Sequence, residues 1–252
     1  MKLQILVIPV LLFSISFPES LPGSEGHHDL FREVMKQYSR IRTIDSEIEQ
    51  EIWNDENPPE RFKGLYRADS TGRFRIDYSR PDAQIVLNNG KNLYWYYPNE
   101  KILYTIASLK NDAAPKLNPF AEYSKKLDDR FEIRSLGRGL HGFFQMAAVY
   151  QLIDREKGVA IVFWIDPEKH VVLKKTVSDR NGREYIKEMY GNFKKVSGIY
   201  YPSRVDVIVR TAAGIAGNTT YYRKVRLNKK FGKNLFVIEF PKDVKKRSLH
   251  EN

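Results

Sequence analysis

The chain has 252 residues, 42 % of them hydrophobic and 29 % charged. That is enough apolar material for a packed core, and it excludes a chain kept disordered by composition. The formal net charge of +11 favours anionic partners such as a phospholipid surface, and the absence of cysteine excludes both disulfides and a lipid-modified amino-terminal cysteine.

Residues 1–26 have the layout of a secretory signal peptide. Lys2 gives a positive start, residues 3–17 are almost wholly apolar, and Pro18, Ser20, Pro22, Gly23 and Ser24 follow. The apolar run is about 15 residues, short of the roughly 20 needed to span a bilayer. Cleavage between Ser20 and Ser24 is expected, so that 1–24 is the leader and 25–252 a single mature domain, soluble in the periplasm. Export argues against nucleic acid as a partner.

The mature chain opens on a helical pattern. Leu30, Phe31, Val34, Tyr38 and Ile41 recur at spacings of three and four, leaving one apolar face that has to lie on something. From Thr43 the period becomes two, with Ile44, Ser46, Ile48 and Gln50 on one side and Asp45, Glu47 and Glu49 on the other, as in a half-buried strand. Further strands are expected over 61–68, 73–78, 84–87, 92–97 and 102–106. Between them, Ser70-Thr71-Gly72 and Pro98-Asn99 mark turns, and Asn88-Asn89-Gly90 is a two-residue hairpin signal, because Asn and Gly tolerate positive φ.

Residues 110–118 break this rhythm. Over 119–127, Phe120, Tyr123, Ser124 and Leu127 allow a short second helix, with Asn118 as its cap and Pro119 in its first turn. Strands resume from 131 to 227, and 235–240 reads as a last one, stopped by Pro241. Residues 143–149 and 159–165 carry few charges on either face. A sheet wet on one side would alternate, so these strands need cover on both. The sum is a mainly β chain of about eleven antiparallel strands in up-and-down order with two or three helices.

Catalytic constellations are absent from the sequence. The five histidines, His27, His28, His141, His170 and His250, are scattered, and no H-x-x-x-H, G-x-S-x-G or P-loop pattern occurs. No enzymatic activity, metal site or cofactor is expected. Lys242, Lys245, Lys246 and Arg247 crowd the carboxyl end, as a solvated tail or as a contact with an anionic membrane surface.

Several of these residues carry a resemblance. Gly64-Leu65-Tyr66, Arg73-Phe74-Arg75-Ile76-Asp77-Tyr78, Pro81, Ile85-Val86, Asn89-Gly90, Leu93, Trp95, Tyr97 and Pro98 together resemble the amino-terminal half of the LolA family of periplasmic lipoprotein carriers. Leu109-Lys110-Asn111-Asp112 and Asn118-Pro119-Phe120 are similar to its second helical insert, and Phe236, Phe240 and Pro241 to its close. The resemblance implies an incomplete, unclosed antiparallel β-barrel with helices as a lid over an internal hydrophobic cavity. That cavity takes the acyl chains of a lipoprotein, received by a monomeric carrier from an inner-membrane lipoprotein-releasing transporter and passed to an outer-membrane acceptor.

Carried over by position, Tyr38, Ile41 and Ile44 match apolar sites on and after the first helix. Phe74 and Ile76 match the cavity wall, and Phe120, Ala121 and Tyr123 match the lid helix. Trp95 and Met146 extend the wall with side chains that adapt to irregular shapes. One departure concerns the lid: Ser70 stands where the family has a lid-bonding Arg, with Arg67 or Arg73 as the substitutes at hand. A sensor of the RseB kind, or a carrier of another lipid such as a glycolipid, fits the same reading.

Overall fold

The computed structural model describes residues 28–107, 130–142 and 145–247. The expected leader and the expected helix over 119–127, with Phe120 and Tyr123, lie outside the described residues.

Helix α1 (His28–Ser39) forms where the three-and-four spacing placed it. Phe31, Val34 and Tyr38 are buried on one face, while Arg32, Glu33 and Lys36 are exposed on the other. Burying each large apolar side chain contributes about 1.5–3 kcal/mol, so this face holds the helix to the sheet. The helix ends in a tight turn, in which Ser39 Oγ donates to the Lys36 carbonyl at 2.8 Å and the Ile41 amide donates to the Tyr38 carbonyl at 3.1 Å.

Six strands follow: β1 (Thr43–Asn54), β2 (Glu60–Asp69), β3 (Phe74–Arg80), β4 (Gln84–Asn88), β5 (Asn92–Tyr97) and β6 (Ile102–Ala107). A second run comprises β7 (Phe131–His141), β8 (Gln145–Asp154), β9 (Ala160–Asp166), β10 (Val171–Ser178), β11 (Glu184–Val196), β12 (Ile199–Thr211) and β13 (Gly214–Leu227). Each run is an antiparallel meander, and β1 pairs with β13 to join them into one sheet. β6 and β7 therefore lie far apart, towards opposite edges, and the sheet does not close. The chain is mainly β, as its alternation requires.

β14 (Lys245–Arg247) adds a parallel strand beside β6, bringing the described strands to fourteen. It has no alternation to read, being three charged residues held by edge pairing. The basic carboxyl end is thus anchored in part, with Lys101 bonded to Asp243 at 2.5 Å. Residues 235–240, expected as a strand, are not one. Their phenylalanines serve docking instead: Phe240 packs on Tyr94 and Tyr96, with ring centroids 5.6 and 5.4 Å away, and Arg73 stacks over Phe236 at 4.8 Å. The hairpin at Asn89-Gly90 has a two-residue tip, Gly90 and Lys91, because the Asn89 amide donates to the Asn92 carbonyl at 3.2 Å and carries the pairing that far. Asn89 Oδ1 accepts from the amides of Lys91 and Asn92, and Gly90 takes φ 89°.

The outward face of β1, β2 and β13 is laced with ion pairs. Glu49 meets Lys63 and Arg223, Glu47 meets Lys224, Glu51 meets Arg61, and Asp45 meets Arg226 and Lys229. A depression of about 390 Å³ at the β1 bulge is lined by Asp45, Glu47, Leu65, Lys224, Val225 and Arg226. Its charged walls do not suit an acyl chain.

Candidate functional site: the trough under the helix

The opposite face of the sheet is the apolar one. Alternation and register bring Ile44 and Ile48 of β1, Tyr66 and Ala68 of β2, and Phe74 and Ile76 of β3 to one surface. The second meander supplies Tyr150, Leu152, Ile161, Phe163, Ile165 and Val172, and α1 lies on this wall. The Phe31 ring sits 5.4 Å from Tyr150 and 5.6 Å from Phe163, in tilted and edge-on contacts worth about 0.5–1.5 kcal/mol beyond the area they bury. Gln37 Nε2 donates to the His170 carbonyl at 3.4 Å, and Glu33 Oε2 lies 3.6 Å from His170 Nδ1, tying the helix to the β9–β10 turn.

Further along the strands the same face changes character. Phe62, Tyr78, Trp95, Tyr97, Val207 and Asn218 are half-buried there rather than buried. Polar groups run between them. The Tyr78 hydroxyl donates to Gln50 Oε1, Gln50 Nε2 donates to Thr220 Oγ1 at 2.9 Å, and Thr220 Oγ1 donates to Asn218 Oδ1 at 3.1 Å. Trp95 Nε1 donates to Gln84 Oε1 at 3.1 Å, and its ring stacks on Tyr97 at 5.8 Å. Across the trough, Lys175 and Glu188 form an ion pair of 2.6 Å with both side chains largely covered, and the Tyr190 hydroxyl donates to Glu188.

Burial sets the titration of these phenols. It pushes Tyr97 up to about 12, helped by Tyr104, Glu100 and Glu60, and Tyr222 up to about 12, helped by Glu188. Tyr78 is raised too, first by burial and then by Tyr222. All three stay neutral donors at physiological pH, so the far end of the trough offers fixed hydrogen-bonding groups among aromatic rings.

The structure brings five of the nine expected wall residues together: Tyr38, Ile41, Ile44, Phe74 and Ile76 share one buried cluster with α1. Trp95 lies on the same face, two strands from Ile76 through Val86. Met146 is on that face as well but stands at the edge, 47 % exposed, paired with Leu140 at 65 %. Neither candidate for the lid-bonding Arg reaches α1. Arg67 is bonded to Asp77 at 3.0 Å and Arg73 to Asp69 at 2.6 Å, both drawn to carboxylates of their own hairpin. The polar network at the far end was not anticipated, although Gln50 already stood on the apolar row of β1.

An unclosed antiparallel half-barrel with an amphipathic helix in its trough is a fold found in solved structures. A LolA superfamily protein from Nitrosomonas europaea superimposes with a TM-score of 0.57 at 13 % identity, over 82 % of this chain and 97 % of its own. An outer-membrane lipoprotein-sorting protein domain from Vibrio parahaemolyticus gives 0.58 at 13 % identity, over 83 % and 95 %. A DUF1329 family protein from Desulfovibrio piger gives 0.58 at 16 % identity, over 84 % and 96 %. No family model and no curated protein matches the sequence. The fold is LolA-like.

Proposed function

We propose that the protein is a periplasmic carrier that performs no chemistry and shelters the acyl chains of a lipoprotein in the trough. The observation that carries this reading is the apolar wall under α1. The apolar end of this face is filled by a helix that contributes Phe31, Val34 and Tyr38, side chains an acyl chain can replace. An acyl chain exposed to water costs about 0.8 kcal/mol per methylene, so a dry wall of this kind is what a soluble carrier has to provide. Exchange of helix for cargo is a two-state equilibrium, and cargo biases it only by its difference in affinity for the two states.

An inner-membrane lipoprotein-releasing transporter as donor and an outer-membrane acceptor complete this reading, supported by the LolA-like fold. The Gln50, Gln84, Asn218 and Lys175–Glu188 groups favour a second reading, a carrier of a polar-headed lipid such as a glycolipid, whose head would meet the far end. Uptake of a fluorescent acylated peptide separates carrier from inert scaffold. Saturable binding that vanishes for the unacylated peptide, and for a folded I76E protein, is the expected result. No acyl-dependent binding by the folded wild-type chain overturns the proposal.

A further inference from the structure

The outward face of β7–β11 carries basic groups that the trough does not use. Trp164 of β9 points outward, since Phe163 and Ile165 point in, and Lys174 of β10 is its direct cross-strand partner. Lys174 Nζ lies 3.7 Å from the centroid of the Trp164 ring. Lys187 of β11 sits diagonally from Lys174, two residues from its partner Met189, within reach of a long side chain. His141 closes the group from the end of β7. Burial first, and then the charges of Lys174 and Lys187, depress the His141 imidazole, while burial and Lys187 depress the Lys174 ammonium.

Local carboxylates are committed elsewhere. Asp166 is bonded to Gln145 at 2.8 Å and lies 3.6 Å from Lys169, and Asp206 is bonded to Arg204 and Thr219. Glu184 is the carboxylate that acts on Lys174, and among the described residues it forms no ion pair. This contrasts with β1, β2 and β13, where each outward carboxylate meets a cation. Among the described residues the Trp164 indole N–H has no hydrogen-bond partner, and Gly139 lies beside it: a Cβ at Gly139 would lie 2.9 Å from Val149 Cγ2 and 3.6 Å from Trp164 Nε1. Cations crowded together without counter-charge are held at a cost that an anion would remove.

The geometry points to a phosphate-binding site on this face, built from Lys174, Lys187, His141 and the Trp164 N–H, that takes the phosphodiester headgroup of an anionic membrane lipid. The apolar surroundings favour a lipid over a free ion. The group borders a small buried cluster of Ala147, Val171 and Leu173, over which the half-buried rings of Phe193 and Tyr200 present the apolar surface on this face. Leu140 and Met146 stand exposed at the same strand ends, on the trough side of the β7–β8 edge. Aromatic and basic side chains beside exposed aliphatic ones suit the level of lipid headgroups. The site is separate from the trough, so its test does not depend on acyl uptake.

Co-sedimentation of the full chain with phosphatidylcholine vesicles, with and without phosphatidylglycerol, tests the site. Binding only to the phosphatidylglycerol vesicles is expected, weakened about fivefold per lysine and so roughly twenty-five-fold in K174Q/K187Q. The variant should melt as the wild type does and keep its uptake of acylated peptide. The W164F protein, which keeps a ring but lacks the N–H, should lose roughly fivefold, the worth of about one hydrogen bond. Titration with inorganic phosphate is the second arm. Saturable phosphate binding by a chain that ignores phosphatidylglycerol vesicles overturns the membrane assignment. Equal vesicle binding by wild type and K174Q/K187Q, or a loss confined to K245Q/K246Q, overturns the site.

Discussion

At the α1 end of the trough the sheet presents Ile44, Tyr66, Phe74, Tyr150 and Phe163 to a helix that seals them from water. At the far end it presents half-buried Gln50, Tyr78 and Trp95 beside buried Gln84 and the largely covered Lys175–Glu188 pair. The strands run continuously from one end to the other, so backbone pairing does not distinguish them. Side-chain chemistry does. The first end behaves as ordinary core and sets stability, whereas the second combines apolar walls with fixed donors and acceptors and is the place where a ligand's polar part can be read.

The largest effect is expected at the sealed end. Replacing Phe163 by Ala removes the ring that meets Phe31 and leaves a cavity, at a cost of about 3–5 kcal/mol in the urea unfolding free energy. At the far end, Q50L takes the acceptor from the Tyr78 hydroxyl and is expected to cost about 1–3 kcal/mol. Adding Y78F should recover most of that loss, because removing both partners of a buried hydrogen bond is nearly neutral. If Q50L/Y78F stays as unstable as Q50L, the two ends do not differ in the way described.

Acid stability sharpens the contrast with the outward face. Burial would raise the Asp45 carboxyl, but hydrogen bonds and charge from Lys229 and Arg226 outweigh it and hold the group below the usual aspartate range. Its contribution is therefore complete above the unfolded-state value of about 3.9 and is lost as pH falls through the lower folded value. Urea midpoints measured down the acid limb should fall more steeply for the wild type than for D45N. The smallest effect belongs to Lys224, whose exposed pair with Glu47 is worth less than about 1 kcal/mol, so K224Q should unfold close to the wild type.

Much of the sealed end was legible in the sequence. The three-and-four spacing from Leu30 to Tyr38 gave α1 and the face it buries, and the period of two from Ile44 to Gln50 gave β1. The lack of charge in β8 and β9 called for cover on both faces. The structure supplies it, with α1 over Tyr150 and Phe163 on one side and the Ala147, Val171 and Leu173 cluster on the other. Periodicity failed where apolar residues serve something other than a ladder. Phe236 and Phe240 dock on the outward side of the first meander, and β14 exists by edge pairing alone. The far end was hidden for a different reason: a Gln or Lys on an inward row has meaning only once the partner strands, here β13 and β11, are known.

The central claim is that α1 and the cargo compete for one apolar wall. Glu33 and His170 lie side by side at 3.6 Å where α1 meets the β9–β10 turn, and the chain has no thiol of its own. An E33C/H170C protein joined by a reducible bis-maleimide would hold the helix down without touching the core. Uptake of acylated peptide should be lost in the linked protein and restored when the linker is reduced, with the melting temperature raised while it is in place. Wild-type uptake by fully linked protein would mean that the helix does not give way to cargo, and the carrier mechanism would fail.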